Sequence, residues 1–317
     1  MLLALFSLCL LCACEETFEI DSKGQPKLFV QCYAGLEDTT FVYMKKAVPV
    51  NSSETSRFTI NSVELKADGV PVELNKDSET LYWSTSPIAS GAELVFEAEA
   101  AGLPEVHASS RVPEKLDFHT EARVEESSYA GRVLRMKAVF DKPLPEGGYF
   151  GAVVVTHTTV ISNGVAEDVY ESNVPFSVGT IGGGLSDMIS SAMGGGTMDI
   201  NIGGNKYVSV FLFDSNDLTD GTICFNSECL RVDGDYFKEG DSRGEVVVEY
   251  SLGIYSFSKE CCYYFQALNN QDRNFLAQLG LSPPNYSYSN VAGGYGVVAG
   301  LNLSSGEWIS YADILGK

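Results

Sequence analysis

Short runs of β-branched and aromatic residues recur from Pro26 onward, and turn residues such as glycine, asparagine and aspartate separate them. This rhythm constrains the fold more than any other feature, because short strands joined by turn residues are typical of a β-sandwich or barrel. In the first third of the chain we interpret five runs as strands: residues 28–30, 40–43, 60–65, 81–84 and 93–100. The last run alternates and places Leu94, Phe96 and Ala98 on one face, which predicts a half-buried strand.

A proline follows this set of strands. Val112, Pro113 and Glu114 form a natural linker, since proline cannot donate a hydrogen bond to a β-ladder. We predict an immunoglobulin-like β-sandwich over residues 26–115, because about 90 residues with about seven strands suit that arrangement. A larger β-rich domain is expected over residues 116–317, and its strongest strand runs are 132–140, 149–160, 206–213 and 245–251.

One stretch of the second domain has helical periodicity. Apolar side chains recur there at the spacing of one helix face: Cys261, Tyr264, Phe265 and Leu268. Ser258 precedes them in the position of an N-cap, so we predict an amphipathic helix that ends near residue 270. The predicted fold class is mostly β, an N-terminal sandwich followed by a larger β-rich domain that carries one amphipathic helix.

The N-terminus reads as a targeting segment. Residues 1–13 form an uncharged apolar run, which at about 1.5 Å per residue makes about 20 Å of helix, too short to span a bilayer. This length suits the apolar region of a secretory signal. Residues 11–14, Leu-Cys-Ala-Cys, fit a bacterial lipobox with a small residue before the cysteine. We predict a lipoprotein signal peptide at residues 1–13 and lipidation of Cys14.

Acidic residues outnumber basic ones by two to one. The chain has 21 Lys and Arg against 42 Asp and Glu, so its formal net charge is 21 − 42 = −21. We expect no nucleic-acid partner, because binding by counterion release needs clustered basic residues. Residues 14–25 contain four carboxylates and are interpreted as an acidic tether. They resemble the export signal of Bacteroidetes surface lipoproteins, and a merely solvated tether is the alternative.

The sequence holds few candidates for catalysis or metal binding. The three histidines, His107, His119 and His157, do not form a recognisable site, and neither a Gly-x-Ser-x-Gly nor a His-Glu-x-x-His motif occurs. We therefore expect no enzymatic activity and no cofactor. One loop has the oxygen ligands that calcium favours: Asp214, Asn216, Asp217 and Asp220. The loop lacks the spacing of an EF-hand, so a turn without metal is the preferred interpretation and calcium the alternative.

The cysteines allow one disulfide to be proposed. Cys224 and Cys229 enclose four residues that we interpret as a turn, and in an exported protein this spacing predicts a hairpin disulfide. Two buried thiols are the alternative. Cys261 and Cys262 are adjacent and are expected to pack within the helix, since a bond between neighbours is strained. Cys32 has no evident partner, and no zinc site is expected.

A glycine-rich insertion at residues 179–205 contains two glycine triplets, at residues 182–184 and 194–196. The backbone freedom of glycine makes the triplets candidate hinges. Between them lies an apolar helical face whose candidate partner-binding residues are Leu185, Met188, Ile189 and Met193. One interpretation is a mobile docking element, because flexible methionines suit adaptable surfaces. The other is a loop that is disordered or lies on its own core.

Aromatic residues crowd the C-terminal region: Tyr286, Tyr288, Tyr295, Trp308 and Tyr311. Their rings could stack on a sugar or another flat ligand, and the alternative is that they are core and rim residues of a β-domain.

Several short motifs occur in the order and spacing of one known family. They are residues 28–30, residues 38–40, residues 60–63 with Asp68-Gly69, Gly91 through Val112-Pro113, residues 258–260 with Tyr263-Tyr264, and residues 289–291 with 293–296. On these motifs the chain resembles the Bacteroidetes outer-membrane lipoproteins of domain-of-unknown-function family 4249 over nearly its whole mature length. Members are typically encoded beside TonB-dependent transporters, so the resemblance implies a surface accessory in nutrient uptake. It implies neither a ligand nor catalytic residues.

The sequence thus predicts a lipid-anchored protein of the outer membrane, exposed at the cell surface. Its expected function is that of a non-enzymatic binding accessory of a TonB-dependent transporter in nutrient uptake. The expected partners are the membrane through the lipid on Cys14, the transporter and an unknown nutrient. A structural or adhesive surface lipoprotein without a transport role is the alternative.

Overall fold

The computed structural model describes residues 25–36, 39–48, 57–127, 131–162, 165–174, 176–177, 197–201, 207–213, 215–228, 244–273 and 288–316. In the first part of the chain the strands are β1 (Lys27–Ala34), β2 (Thr40–Ala47), β3 (Ile60–Ala67), β4 (Val70–Pro71), β5 (Asn75–Lys76), β6 (Leu81–Ser84), β7 (Glu93–Ala100) and β8 (Val106–Arg111).

In the second part the strands are β9 (Phe118–Ser127), β10 (Gly131–Phe140), β11 (Tyr149–Ser162), β12 (Val165–Val174), β13 (Phe176–Ser177), β14 (Thr197–Asn201), β15 (Tyr207–Phe213), β16 (Thr222–Glu228), β17 (Gly244–Phe257), β18 (Tyr295–Ser305) and β19 (Ile309–Ser310). The α-helices described are α1 (Lys259–Arg273) and α2 (Tyr311–Gly316), and a 3₁₀ turn covers Ser215–Asp217. The protein is therefore mostly β with several sheets, as predicted. Neither helix is long and apolar enough to cross a membrane in the part of the chain that the structure describes.

The strand runs predicted from the sequence are confirmed as β1, β2, β3, β6 and β7 in the first part and as β10, β11, β15 and β17 in the second. The structure adds strands that the sequence did not indicate, β8 and β9 among them. Their inward positions include small or polar residues such as Ala108, Thr120 and Ala122, which weaken the apolar signal of both strands.

Two sheets face each other in the N-terminal part. One has the order β1-β2-β6-β5 and the other β4-β3-β7-β8. Their inward side chains form one core, which includes Leu28, Val30, Val42 and Met44 from the first sheet and Leu65, Phe96, Ala98 and Val106 from the second. The alternation predicted for β7 is confirmed, since its inward residues are buried. Removal of these apolar side chains from water stabilises the pair of sheets.

The first of these sheets continues into the C-terminal part of the chain. Strand β18 pairs in parallel with β1, so that Phe29 lies opposite Tyr295 and Ala34 opposite Gly300. Beyond β18 the sheet runs through β17, β11, β15 and β14, with β12 and β19 attached at its side. One sheet of eleven strands thus crosses the boundary expected between residues 115 and 116. Local patterns could not indicate this, because the pairing joins strands at opposite ends of the chain.

The linker predicted at residues 112–114 is fixed against β18. Asn302, which is buried, donates a hydrogen bond from Nδ2 to the carbonyl oxygen of Pro113 at 2.5 Å. Two residues further along β18, the Oγ atom of Ser304 accepts a hydrogen bond from the backbone N–H of Leu116 at 2.7 Å. Hydrogen bonds to β18 therefore hold the chain where it passes from the N-terminal part to the C-terminal part, and the sheet that contains β18 extends through both parts.

The C-terminal part of the large sheet is covered on both faces. A four-stranded sheet, β13-β16-β10-β9, covers one face. The core on that side includes Leu134, Met136 and Phe225 from the covering sheet, Val154 and Leu252 from the large sheet, and Ile314 from α2. Helix α1 covers the other face, and its core includes Cys261, Cys262 and Phe265 together with Tyr255 and Val297.

Helix α1 confirms the amphipathic helix predicted from the sequence. Ser258 is its N-cap, because its Oγ atom accepts a hydrogen bond from the backbone N–H of Cys261 at 3.2 Å. The predicted inward residues Cys261, Tyr264 and Phe265 are buried. Tyr33 of β1 stacks on Phe265 with 5.3 Å between the ring centroids. The helix ends at Arg273, three residues beyond the predicted end.

Candidate functional site

A groove of about 560 Å³ opens where β7 and β8 meet the start of α1. One wall is formed by the ends of these two strands, and the other by the end of β17 and the first turn of the helix. The polar and charged lining includes Glu93, Ser109, Ser110, Arg111, Lys259 and Glu260. Its volume is in the range of sites that bind small molecules, about 300–1,000 Å³.

Serine hydroxyl groups hold the two walls of the groove together. The Oγ atom of Ser110 on β8 lies 2.8 Å from Oε2 of Glu260 and donates a hydrogen bond to that carboxylate. The same Oγ atom lies 3.1 Å from Oγ of Ser258. The backbone N–H of Ser258 donates to the carbonyl oxygen of Gly300 at 2.9 Å, which places the start of the helix against β18. The N-cap serine thus both begins α1 and fixes its first turn against β8.

Two basic side chains line the groove on opposite walls. Arg111 of β8 donates a hydrogen bond from Nε to the carbonyl oxygen of Gly91 at 2.8 Å, which orients its guanidinium group. On the helix, Nζ of Lys259 lies 5.5 Å from the ring centroid of Tyr263, a cation–π contact. Within the residues that the structure describes, no carboxylate lies close enough to either group to form a salt bridge. The side chains of Arg111 and Lys259 can therefore both bind an anionic ligand.

Glu93 completes the charge pattern of this wall. It lies opposite Arg111 in the pairing of β7 with β8, and its side chain is exposed. The lining of the groove thus contains both cationic groups and carboxylates, together with the hydroxyl groups of Ser109 and Ser110. Such a lining can bind a small polar molecule that carries an anionic group.

Three tyrosines extend the helix wall beyond Lys259. The rings of Tyr149 and Tyr263 meet edge to face with 5.7 Å between their centroids, and Tyr263 meets Tyr288 in the same way at 5.6 Å. Tyr149 donates a hydrogen bond from its hydroxyl group to that of Tyr263 at 3.1 Å. This hydrogen bond, followed by desolvation, raises the pKa of Tyr149 to about 12. Tyr149 therefore stays protonated, and the three rings present aromatic edges beside Lys259.

Most of the site residues predicted from the sequence lie outside the described residues. These are Cys14, the insertion residues Leu185, Met188, Ile189 and Met193, and Cys229. Lipidation, partner binding by the insertion and the role of Cys229 stay predictions.

The turn predicted between Cys224 and Cys229 is wrong. Residues Thr222–Glu228 form the extended strand β16, in which Cys224 lies opposite Lys137 of β10. Cys224 is a free cysteine. Local spacing suggested a hairpin, but pairing with β10 stabilises the extended form. Cys261 and Cys262 are free and buried, which confirms their expected packing in the helix. Cys32, for which no partner was evident, is also free and buried, and burial raises the pKa of each of the three thiols.

The candidate calcium loop is described only in part, because Asp214 lies outside the described residues. The turn after it is a tight hairpin in which Asp220 and Gly221 have φ values of 50° and 69°. The backbone groups of Thr219 and Thr222 exchange hydrogen bonds at 2.9 and 3.0 Å across it. In the described part of the chain no group of three or more acidic, cysteine or histidine side chains is arranged to hold a metal ion.

The described C-terminal aromatic residues do not form a single platform. Tyr288 belongs to the cluster beside the groove, whereas Tyr295 lies under Nζ of Lys27 at 5.0 Å from its ring centroid. Trp308 is exposed and contacts the imidazole of His157 with 5.6 Å between the ring centroids. Tyr286 lies outside the described residues.

Sequence reasoning did not identify the groove. The sequence marked Ser258 as a helix start but gave no reason to associate it with Ser110 or Arg111, which are about 150 residues away. Comparison with models of known protein families finds no match, and comparison with curated proteins finds none either.

Proposed function

We propose that this protein is a lipid-anchored, surface-exposed lipoprotein of the outer membrane and acts as a non-enzymatic binding accessory of a TonB-dependent transporter in nutrient uptake. The lipid anchor is proposed on Cys14, which follows the apolar run at residues 1–13. The two N-terminal sheets are proposed to be an immunoglobulin-like sandwich that serves as the scaffold for the binding groove.

The observation that carries the proposal is the groove with Arg111 and Lys259 on opposite walls. In a chain of net charge −21, two basic groups that form no salt bridge with described residues mark a place where an anionic group can be bound. Charge-assisted hydrogen bonds to such groups are stronger than neutral ones. We propose that the groove binds a small polar nutrient through an anionic group between these two side chains.

The experiment compares three forms of the full chain, each produced in its own host and purified with an affinity tag. They are the wild type, the double variant R111A/K259A, and the matched control K142A, which removes an exposed lysine outside the groove. Proteins that copurify are identified by mass spectrometry. Small molecules released by denaturation are compared among the three samples.

A TonB-dependent transporter should copurify with all three forms, because the groove substitutions do not touch the anchor. An anionic small molecule should be released from the wild type and the control but not from R111A/K259A. Absence of the transporter from the wild-type sample would refute the accessory role and favour the structural alternative. Equal release from all three forms would refute the groove as the binding site.

A further inference from the structure

Strand β9 is the outermost strand of the sheet that covers the large sheet, and in the described part of the chain its second edge pairs with no other strand. It is ten residues long. Its inward side chains Phe118, Ala122 and Val124 pack against the core below. Long edge strands offer unpaired backbone groups to another chain, so proteins usually protect them with charges. The charges on β9 have a specific order.

The outward residues of β9 are polar or charged and lie on both sides of Ala122. They are His119, Glu121, Arg123 and Glu125, and their side chains are 58%, 60%, 64% and 42% exposed. Consider a second β9 placed antiparallel to the first, with the two Ala122 residues opposite each other. Each residue that follows Ala122 then faces the residue of the other copy that precedes Ala122 by the same number of positions. Glu121 then faces Arg123 of the other copy, and His119 faces Glu125. Glu121 and Arg123 carry opposite charges, the imidazole of His119 can donate a hydrogen bond to the carboxylate of Glu125, and the symmetry supplies each pair twice.

The charges within one copy leave a place for this partner. Arg123 lies opposite Arg135 in the pairing of β9 with β10, and like charges in that position are unfavourable. Among the side chains that the structure describes, both guanidinium groups share the carboxylate of Glu125, which lies 2.6 Å from Arg123 and 3.0 Å from Arg135. Arg135 is the main cause that lowers the pKa of Glu125. Arg123, the more exposed of the two cations, therefore gains from a further carboxylate, and Glu121 of a second copy would lie directly opposite it.

We propose that β9 is a homodimer interface, in which the edges of two copies of this chain pair antiparallel about Ala122 and join their covering sheets into one. The occupant is a second copy because the charge order is complementary to itself. A heterologous strand would need to reproduce the same alternation by chance. An interface of this size is small, so the dimer is expected to be weak and to form in the micromolar range.

The test uses charge reversal on the full chain, followed by sedimentation over a range of concentrations. E121R and R123E each place like charges opposite each other twice per dimer, and each should raise the dimer dissociation constant about tenfold or more. The double variant E121R/R123E restores opposite charges between positions 121 and 123 and should recover most of the wild-type affinity. The control K142E reverses an exposed charge that lies outside the strand and should leave the constant unchanged.

Cysteine cross-linking tests the register without relying on charge-reversed variants. A mixture of E121C and R123C chains should form an intermolecular disulfide between the two new cysteines, because these positions face each other. Neither variant alone should do so. A wild-type chain that stays monomeric at about 1 mM, single reversals without effect, a double variant no better than the single ones, or no cross-link in the mixture would each overturn the proposal.

Discussion

The side-chain amide of Asn290 pairs with both backbone groups of Val298, as a neighbouring strand would. Its Oδ1 atom accepts a hydrogen bond from the N–H of Val298 at 3.0 Å, and its Nδ2 atom donates to the carbonyl oxygen of Val298 at 2.7 Å. Strand β17 pairs with β18 only from Leu301 onward, and β1 occupies the other edge. Asn290 therefore satisfies backbone groups that no described strand reaches.

Asn290→Ala should destabilise the protein by about 2–3 kcal/mol, because the buried backbone N–H and C=O of Val298 would lose their partners. Equilibrium unfolding in urea measures this change. The matched control is Asn61→Ala, which removes an exposed asparagine on β3 and should change the free energy of unfolding by less than about 0.5 kcal/mol. Equal stability of the two variants would show that the amide pairing contributes nothing.

Gly296→Ala should destabilise the protein by more than about 3 kcal/mol. Gly296 has a φ of +105°, and a Cβ atom there would collide with the carbonyl oxygen of Val30 on the paired strand β1. Gly69 has a φ of +77° but no atom within 4 Å of a Cβ position, so Gly69→Ala should cost only the backbone strain of about 1–2 kcal/mol. Unfolding curves of the two variants separate collision from strain, and similar losses would contradict the close approach of β18 to β1.

Cys224 should have a free thiol in the folded protein. Along the extended strand β16 the Cα atoms of Cys224 and Glu228 lie about 13 Å apart, whereas the cysteines of a disulfide have Cα atoms within about 7 Å. Closing a short disulfide from Cys224 would therefore break its ladder with β10. Alkylation of the native protein and peptide mapping without reduction check this. A disulfide-linked peptide that contains Cys224 would contradict it and restore the hairpin.

Tyr263→Phe should lower the pKa of Tyr149 from about 12 toward the ordinary value near 10, because it removes the hydroxyl group that accepts the Tyr149 hydrogen bond. Folding favours the neutral form of Tyr149. This contribution to stability is present below the unfolded pKa near 10 and is lost as the pH rises toward 12. The variant should therefore lose less stability than the wild type over that range.

The measurement is a pH titration of ring-labelled tyrosine signals by NMR. Tyr149→Phe assigns the signal of Tyr149. The control is Tyr43→Phe on β2, which removes the hydroxyl group of a tyrosine that contacts Lys45 and lies on a different strand from Tyr149. A Tyr149 midpoint that is the same in Tyr263→Phe and in Tyr43→Phe would exclude the hydrogen bond as the cause.

Cys14→Ala should abolish acylation and release the protein from the membrane fraction, because the proposed anchor is the lipid attached to this thiol. Mass spectrometry of the N-terminal peptide and fractionation of the cell envelope check this outcome. Cys12→Ala is the matched control and should leave both properties unchanged. Membrane association of Cys14→Ala, together with a wild-type peptide that carries no acyl mass, would refute the anchor.

The sequence by itself determined the local elements. The alternation in residues 93–100 indicated which side of β7 is buried, and the apolar spacing after Ser258 indicated the start and inward face of α1. Each of these features depends on residues within a single strand or helix, so its physical cause is contained in a short stretch of sequence. The turn expected after Cys224 was wrong because its cause is not local: a distant strand, β10, stabilises the extended form there.

Only the tertiary structure decided how these elements combine. The parallel pairing of β1 with β18 and the groove that brings Arg111 near Lys259 both join segments about 150 residues or more apart. The backbone groups of any strand can pair with those of any other. The partner is therefore selected by the burial of whole faces and by close approaches such as that of Gly296 to Val30. Those contacts exist only once the chain has folded, and no local pattern of residues encodes them.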